Sequence, residues 1–352
     1  MINDDIQKQD VGNNSTAYQA NGNITVVNQY TLAEEQAYKI CREIVENNII
    51  KFSGDAIATA KQEFKEFADL YVEKITNQEE DVVEKIINRF KEPNMQYAIF
   101  EAQKGYTKYG NKEKAEKLVQ LLIEKGKQEK GSVMDMLIDD AIEKLSKMTS
   151  NQLNILSYLN AITLNYPSNN LEHFHLNYIN KSLQFYSLIN QERLDSDIQY
   201  LMQLGCIRQF SIAQGSNKII NHIKENYGGL FAAGFTKQEF ESEYGVGSDN
   251  IIIPCLTNRE LYQISALNHK VLDNMYLNMN ANQQQRNIIN KFYERILPNE
   301  RIREILLQIE PGMNELLDNN NTIHNYELML LGRTIGIKNY ETVLDEKINW
   351  DL

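Results

Sequence analysis

The sequence predicts a mainly α-helical protein with an N-terminal β-hairpin and, in its second half, a small winged-helix-like β element. Apolar residues recur at helical spacing through most of the chain after Thr31, which is the pattern of amphipathic helices. Only five prolines occur in 352 residues, and this suits long helices with few rigid loops. Near the N-terminus, two short alternating segments flank an Asn-Gly step, a sequence that favours a β-hairpin turn.

Residues 1–30 are predicted to form this hairpin, with strands at about 16–20 and 23–28. Two strands alone are at best marginally stable in water. The hairpin should therefore pair with copies from other subunits, lie against the helical body, or stay disordered. We expect a homo-oligomer, because backbone pairing among copies would satisfy the open strand edges. The residues expected to form this contact are Thr16, Tyr18, Ile24, Val26 and Val27.

A first helical domain is predicted over residues 31–148. Its first helix begins with a capping box, in which Thr31 and Glu34 satisfy each other's backbone N–H groups. The segment 111–130 is rich in both Lys and Glu, which predicts a solvated helix face with ion pairs between residues four apart. The helices of this domain are predicted at about 31–51, 55–76, 79–91, 94–109, 112–127 and 131–147.

A second helical domain, residues 149–352, begins where Asn, Tyr and Leu replace the alternation of Lys and Glu. Segment 205–213 has strand character, and 251–254 is its candidate partner. The helices of this domain are predicted at about 149–166, 169–188, 191–204, 216–226, 236–243, 257–279, 283–297, 299–318 and 325–335.

Three helices followed by a strand pair is the order of a winged-helix module, in which the helix at 191–204 would bind DNA. That helix carries three acidic residues against Arg193 alone, and Arg208 on the wing barely offsets them. A helix that enters a DNA groove needs donors for phosphates and base edges. We therefore expect the module to serve packing or protein contact, with DNA binding as the alternative.

The composition argues for an acidic cytoplasmic protein without a membrane span. A net charge of −12 disfavours general binding of nucleic acid, which needs a basic face. No apolar run is long enough to cross a membrane, and the N-terminus lacks a signal-peptide profile. Three widely spaced cysteines, Cys41, Cys206 and Cys255, predict buried thiols rather than disulfides or a zinc site.

No group of residues predicts a catalytic, cofactor-binding or metal site, although an active site assembled from scattered residues stays open. His173 and His175 would point in different directions on a helix, with one exposed and one partly buried. Asp135, Asp139 and Asp140 could hold a divalent cation, but we interpret them as a solvated face. The other histidines are isolated in the sequence: His222, His269 and His324.

The segment 227–235 combines three glycines with three large apolar residues. We expect Gly228, Gly229 and Gly234 to permit tight turns that bury the apolar side chains. In the alternative interpretation, these side chains form a surface that binds a protein partner. The apolar residues concerned are Leu230, Phe231 and Phe235.

Several short sequence patterns occur at different places along the chain. Gly-Asn-x-Ser…Gln-Ala-x-Gly-x-Ile lies at 12–24 and Tyr-x-Gly-Leu-Phe-x-x-Gly-Phe, the most specific, at 227–235. Further patterns lie at 93–104, 118–122, 148–153, 200–206 and, more loosely, 329–337. With these patterns, the chain resembles a family of uncharacterised bacterial proteins. The resemblance implies a fold and a genomic context but identifies no catalytic residues. Similar sequence stretches occur at the N-termini of proteins from mobile and antiviral-defence loci.

Three functions remain open. The first is a non-enzymatic, self-assembling interaction protein with an unidentified protein partner, a sensor or adaptor in bacterial antiviral defence. The second is a defence effector enzyme, with nuclease or nucleotide-directed chemistry at a dispersed acidic site. The third is a DNA-binding regulator, which the charge disfavours. A pocket that gathers two or more carboxylates, or a His–carboxylate pair, would favour the second.

Overall fold

The first half of the chain is a bundle of helices. A computed structural model describes residues 32–48, 55–109, 112–166, 168, 170–209, 218–245, 250–318 and 321–348. The bounds of α2 and α5 match the predicted ones, since glycines at 54 and 110 interrupt the helical pattern shortly before each. The helices are α1 (Leu32–Asn48), α2 (Asp55–Thr76), α3 (Glu80–Arg89), α4 (Pro93–Tyr109), α5 (Lys112–Lys127) and α6 (Val133–Leu145).

The second half contains shorter helices. A capping box of Thr149 and Gln152 begins α7, and a π-helical turn, His175–Ile179, joins α8 to α9. The helices are α7 (Ser150–Ala161), α8 (Leu171–Phe174), α9 (Asn180–Ser187), α10 (Leu194–Gln203), α11 (Lys218–Tyr227), α12 (Lys237–Tyr244), α13 (His269–Met279), α14 (Gln283–Tyr293), α15 (Asn299–Ile309), α16 (Met313–Leu316) and α17 (Leu330–Leu344).

Two small antiparallel strand pairs accompany the helices of the described chain. Strand β1 (Ile207–Gln209) pairs with β4 (Tyr326–Leu328), and β2 (Ile252–Pro254) pairs with β3 (Tyr262–Ile264). The predicted fold class, mainly helical with a few small strands, is therefore confirmed. The predicted pairing of the segments that contain β1 and β2 is wrong.

Each of these strands has a better partner than the winged-helix order assumed. Arg208 lies opposite Glu327 and forms an ion pair with it, and opposite charges across two strands stabilise their pairing. Strand β2 reaches β3 through a short loop, which costs less closure entropy than a distant partner. Because β1 and β2 belong to different sheets, they form no wing together.

Three predicted helices of the second half are also corrected. Segment 257–279 holds β3 before α13 begins, and 299–318 is divided into α15 and α16 at Pro311-Gly312. Segment 325–335 begins with β4, and its helix, α17, continues to Leu344.

The apolar core runs through both halves of the chain. One cluster of buried side chains contains Leu118 and Leu145 from the first half as well as Leu156 and Ile335 from the second. A smaller cluster, built around Phe240, joins residues between 235 and 293. The predicted domain boundary near 148 stays a prediction about independent folding.

The last helix, α17, packs closely on α7. A Cβ atom added at Gly336 would lie 2.3 Å from Asn160 Nδ2 and 2.7 Å from the Leu156 carbonyl oxygen. Only glycine permits such a short separation between the two backbones. The Ser157 hydroxyl donates to the Gly336 carbonyl at 3.0 Å and accepts from Asn339 Nδ2 at 2.7 Å. These contacts fix the C-terminal helix against the middle of the chain.

The N-terminal predictions lie outside the described residues. They comprise the hairpin, its expected contact residues Thr16, Tyr18, Ile24, Val26 and Val27, and the capping box at Thr31. They stay predictions.

Candidate functional site

A buried ionic cluster lies where α3, α4, α5 and α6 meet. Its centre is Asp135 in the first turn of α6, where the Ser132 hydroxyl caps the helix by accepting from the Asp135 backbone N–H. Asp135 is 2% exposed, and Lys125 on α5 is fully buried. Lys125 Nζ lies 2.7 Å from Asp135 Oδ1 and 2.9 Å from Asp139 Oδ2. The lysine therefore links two turns of α6 to α5.

The Asp135 carboxylate is surrounded by donors. Its Oδ1 also accepts from Arg89 Nη2 at 2.9 Å, while its Oδ2 accepts from Asn94 Nδ2 at 3.2 Å and from the Gly131 backbone N–H at 2.9 Å. Burial by itself would raise the pKa of the Asp135 carboxyl, but the hydrogen bonds from Lys125, Gly131 and Arg89 together hold that pKa below its usual value. The ionised Asp135 carboxylate thus connects four helices, α3, α4, α5 and α6.

The expectation that the Asp135 group is a solvated acidic face is therefore wrong for Asp135 itself. Asp139 is partly exposed, and Asp140 alone of the three faces solvent. The sequence could not reveal this, because the cations that draw Asp135 into the core come from α3 and α5. In the residues that the structure describes, no group of three His, Cys, Asp or Glu side chains could hold a metal ion.

The expectation of a solvated face on α5 is wrong for three of its lysines, although a predicted ion pair between residues four apart is present. Lys114, Lys117 and Lys125 are all buried on this helix, whose apolar residues belong to the main core. Lysine stems can line apolar surface while their amines reach polar partners. Lys114 Nζ donates to the Met148 carbonyl at 2.9 Å and to that of Ser146 at 3.3 Å, and carbonyls that follow a helix C-terminus attract cations.

An open cleft of about 850 Å³ lies beside this cluster, between α2, α5 and the C-terminal end of α17. It adjoins the cluster because the Arg89 guanidinium donates to the carbonyl of Gln128, a cleft residue. Charged and amide side chains dominate its lining. The lining residues are Lys74, Asn77, Gln78, Gln120, Ile123, Glu124, Lys127, Gln128, Met134, Lys338, Glu341, Asp345, Glu346, Lys347 and Ile348.

Ion pairs occupy much of this lining. Lys127 Nζ lies 3.2 Å from Glu124 Oε1, and the buried Lys338 lies 2.8 Å from Glu341 Oε2. The other oxygen of Glu341 accepts from the backbone N–H of Ile348 at 3.0 Å. Glu341 therefore holds the residues that follow α17 against the helix, where they form one wall of the cleft.

Four carboxylates lie in the cleft, on Glu124, Glu341, Asp345 and Glu346. A pocket that gathers two or more carboxylates is the feature expected of an effector enzyme. Three of them pair with lysines, since Glu346 also contacts Lys181. No sequence motif predicts this cleft, because its walls come from helices that are far apart in the chain.

The histidine pair does not form a site. His173 is exposed and His175 is partly buried, as predicted. His175 Nε2 lies 3.5 Å from Glu310 Oε2, so a His–carboxylate contact exists, but it lies away from the cleft residues.

Elsewhere, all three cysteines and His324 are buried, His222 is partly buried and His269 is exposed. Burial raises the pKa of the Cys41 and Cys206 thiols to about 12. Burial lowers the pKa of the His222 and His324 rings to about 4, and for His324 the nearby Lys218 charge is the second cause. Both rings are therefore neutral at pH 7. Tyr158 Oη and His324 Nε2 lie 2.6 Å apart in the core.

The segment 227–235 lies in the core. Leu230 and Phe231 are fully buried and Phe235 is 3% exposed, so these side chains present no surface to a partner in this conformation. Leu230 and Phe231 join the main cluster and Phe235 joins the smaller one. A Cβ atom added at Gly229 would lie 2.1 Å from the Ala266 carbonyl oxygen, which explains the glycine there.

The helix predicted at 191–204 is a 3-10 turn, Gln191–Arg193, followed by α10. Its Asp197 is buried against α7, where the carboxylate accepts from Asn151 Nδ2 at 2.6 Å and Gln152 Nε2 at 2.7 Å. One face of this helix is therefore used for internal packing.

A protein-family model matches residues 32–352, and the description of that family states no activity. The chain belongs to this family. The match begins at the first residue of α1, so the predicted hairpin lies outside it. No curated protein and no solved structure matches the chain. None of the described helices has the length and apolar composition needed to cross a bilayer.

Proposed function

We propose that this chain is a non-enzymatic interaction protein that self-assembles through residues 1–30 and binds its ligand or partner in the cleft between α2, α5 and α17. The main support for this proposal is the cleft. Its volume suits a bound molecule, and the α5 part of its polar lining lies on a helix that the Lys125–Asp135 ion pair connects to α6.

The burial of reactive side chains supports a non-enzymatic role. The thiolate is the reactive form of cysteine, and a pKa of about 12 for Cys41 and Cys206 leaves almost none of it at pH 7. His324 is buried and His222 is partly buried, and neither of them lines the cleft.

The setting that we propose is a bacterial cytoplasm, with the protein acting as a sensor or adaptor in antiviral defence. The N-terminal pattern at 12–24, which resembles stretches in proteins of defence loci, supports this setting. The expected partners are further copies of the chain and an unidentified protein.

Self-assembly is tested by the mass of the protein in solution. The full chain, a chain that begins at Thr31, and the full chain with Ile24→Pro and Val26→Pro are compared at micromolar concentration by light scattering. Proline removes backbone donors that strand pairing needs. We expect both altered chains to have a lower oligomer mass, with Asn3→Pro as the control. Equal masses in all four samples would refute assembly through the hairpin.

A second candidate, an effector enzyme, is favoured by the four carboxylates in the cleft. Incubation of the full chain with DNA or RNA and Mg²⁺ tests it directly. Cleavage that is lost with Glu124→Gln and Asp345→Asn, but retained with the exposed Asp140→Asn, would establish this candidate and overturn the non-enzymatic role.

A further inference from the structure

The wall of the cleft that follows α17 is fixed in position as far as Ile348. Asp345 has a left-handed backbone conformation, with φ of 53°, which ends the helix and turns the chain. The N–H groups of Asp345 and Glu346 both donate to the Glu341 carbonyl. The Ile348 N–H donates to the Glu341 carboxylate at 3.0 Å, and Glu346 forms an ion pair with Lys181. Because Ile348 itself lines the cleft, the chain continues from a fixed point in the cleft wall.

Four more residues follow this point in the sequence, and one of them is the single tryptophan of the chain. They are Asn349, Trp350, Asp351 and Leu352. Two residues of extended chain span at most about 7 Å, so Trp350 begins within that distance of Ile348. The cleft therefore lies within reach of the Trp350 ring without any change in the described wall.

The cleft offers an indole ring both apolar and polar contacts. Met134 and Ile348 line it with partly exposed side chains, and both pack against the main core cluster. Tryptophan has a large apolar surface, which favours its transfer out of water, and methionine sulfur contacts aromatic rings favourably. The amides of Asn77 and Gln128 in the lining supply acceptors for the indole N–H, which usually has a partner when a tryptophan is buried.

We propose that residues 349–352 occupy the cleft of their own chain, with the Trp350 ring on Met134 and Ile348. The segment closes the cleft to other molecules, so that a partner or ligand binds there only after Trp350 has left. This regulatory role rests on the proposed use of the cleft for binding, whereas the contact itself does not. A short tether gives the ring a local concentration of about millimolar, which favours its own cleft over that of another molecule at micromolar protein.

Tryptophan fluorescence tests whether the ring is covered. Because the sequence has one tryptophan, the emission of the full chain reports Trp350 alone. We expect emission at shorter wavelength than in urea-unfolded protein, and quenching by acrylamide that is several-fold weaker. Emission and quenching equal to those of the unfolded chain would overturn the contact.

A fluorescent label tests whether the ring lies in the cleft. Asn77→Cys places a thiol at an exposed position of the lining, and bimane attaches there because the three natural cysteines are buried. Contact with tryptophan quenches bimane, so adding Trp350→Phe should raise its fluorescence several-fold. The matched control is Asn278→Cys, at an exposed asparagine outside the lining, where Trp350→Phe should change nothing. No increase at position 77, or an equal increase at both positions, would overturn the proposed place.

The closing of the cleft is measured by the rate at which a maleimide modifies the thiol introduced by Asn77→Cys. We expect Trp350→Ser to speed this reaction several-fold at position 77 and to leave it unchanged for Asn278→Cys. Equal rates with and without Trp350→Ser at position 77 would show that the segment does not close the cleft. Circular dichroism and the oligomer mass confirm that each variant is folded and assembled.

A mixed sample distinguishes the chain's own cleft from that of a neighbour. Bimane-labelled Asn77→Cys with Trp350→Phe is unfolded in urea together with an excess of unlabelled wild-type chain and refolded. Quenching of the label in this mixture would assign the contact to a second copy and overturn the intrachain one; we expect none. These measurements need no partner, so an exposed Trp350 would leave the proposed function of an open cleft standing, and a missing partner would leave the contact standing.

Discussion

At the scale of single residues, Asp135 has the most demanding position in the described chain. Arg89, Asn94, Lys125 and the Gly131 backbone all donate to its carboxylate. Replacing a buried ion pair by apolar residues is often harmless, whereas removing one partner leaves the other charge buried without compensation. Loss of the Asp135 carboxylate is therefore expected to lower the free energy of unfolding more than loss of one exposed carboxylate would.

We predict that Asp135→Asn destabilises the protein by about 3–5 kcal/mol, because Lys125 would remain buried with only Asp139 to balance its charge. Urea unfolding at pH 7 measures this loss. The matched control is Asp140→Asn, which removes an exposed carboxylate from the same helix and should change stability by less than about 0.5 kcal/mol. Equal stabilities of the two variants would contradict the role assigned to the cluster.

The buried histidines predict a sensitivity to mild acid. The pKa values of His222 and His324 are lowered to about 4 in the folded protein, mainly by burial, while the unfolded chain protonates near 6.5. Between these values the unfolded state binds more protons. Stability should therefore fall as the pH decreases from about 6.5 to 4, by about 1.4 kcal/mol per pH unit for each histidine.

Unfolding free energies measured at several values between pH 7 and pH 5 test this prediction. His324→Gln should reduce the slope by the contribution of one histidine, whatever it does to stability at pH 7. A slope that is the same in the wild type and in His324→Gln would show that this ring is not kept neutral by the fold.

At the scale of elements, local patterns predicted α2 and α5 well and the strand pairs poorly. The bounds of a helix depend on residues close in the sequence, and a glycine lies shortly before the first residue of α2 and of α5. Strands of three residues carry little pattern of their own, so their partners are chosen by tertiary contacts such as Arg208 with Glu327. For the same reason the sequence could not show that lysines of α5 lie in the core, or that the cleft exists.

The segment 228–231 is a 3-10 turn on which the main core depends. The Phe231 ring lies 5.7 Å from that of Phe174, and the Phe231 carbonyl accepts from the Leu297 N–H at 2.8 Å. We predict that Phe231→Ala costs about 3–5 kcal/mol and broadens the thermal transition. Leu277→Ala, at an exposed apolar position, is the control and should melt like the wild type.

The alternative interpretation of this segment makes the opposite prediction for Phe231→Ala. As part of a partner surface, Phe231 could be replaced with little change in melting temperature and with loss of partner binding. Calorimetric melting of the variant therefore decides between a core role and a recognition role for the 227–235 segment.

At the scale of the whole molecule, charge limits the choice of partner. A net charge of −12 repels polyanions beyond the reach of any one side chain, although salt screens this repulsion over about 8–10 Å. A DNA duplex, itself a polyanion, would face this net negative charge. The charge of the whole chain therefore opposes a role as a regulator of transcription.

We predict that duplex DNA is not a significant ligand. The helix that a winged-helix module would place in a DNA groove packs Asp197 against α7, and the expected wing residue, Arg208, is paired with Glu327. Few donors remain on this module to release counterions from DNA, which is the main source of such affinity. A gel retardation assay at low salt should show no shift at submicromolar protein. Submicromolar binding that weakens steeply with added salt would restore the DNA-binding alternative, and Arg208→Ala would then show whether the β1–β4 pair is its contact.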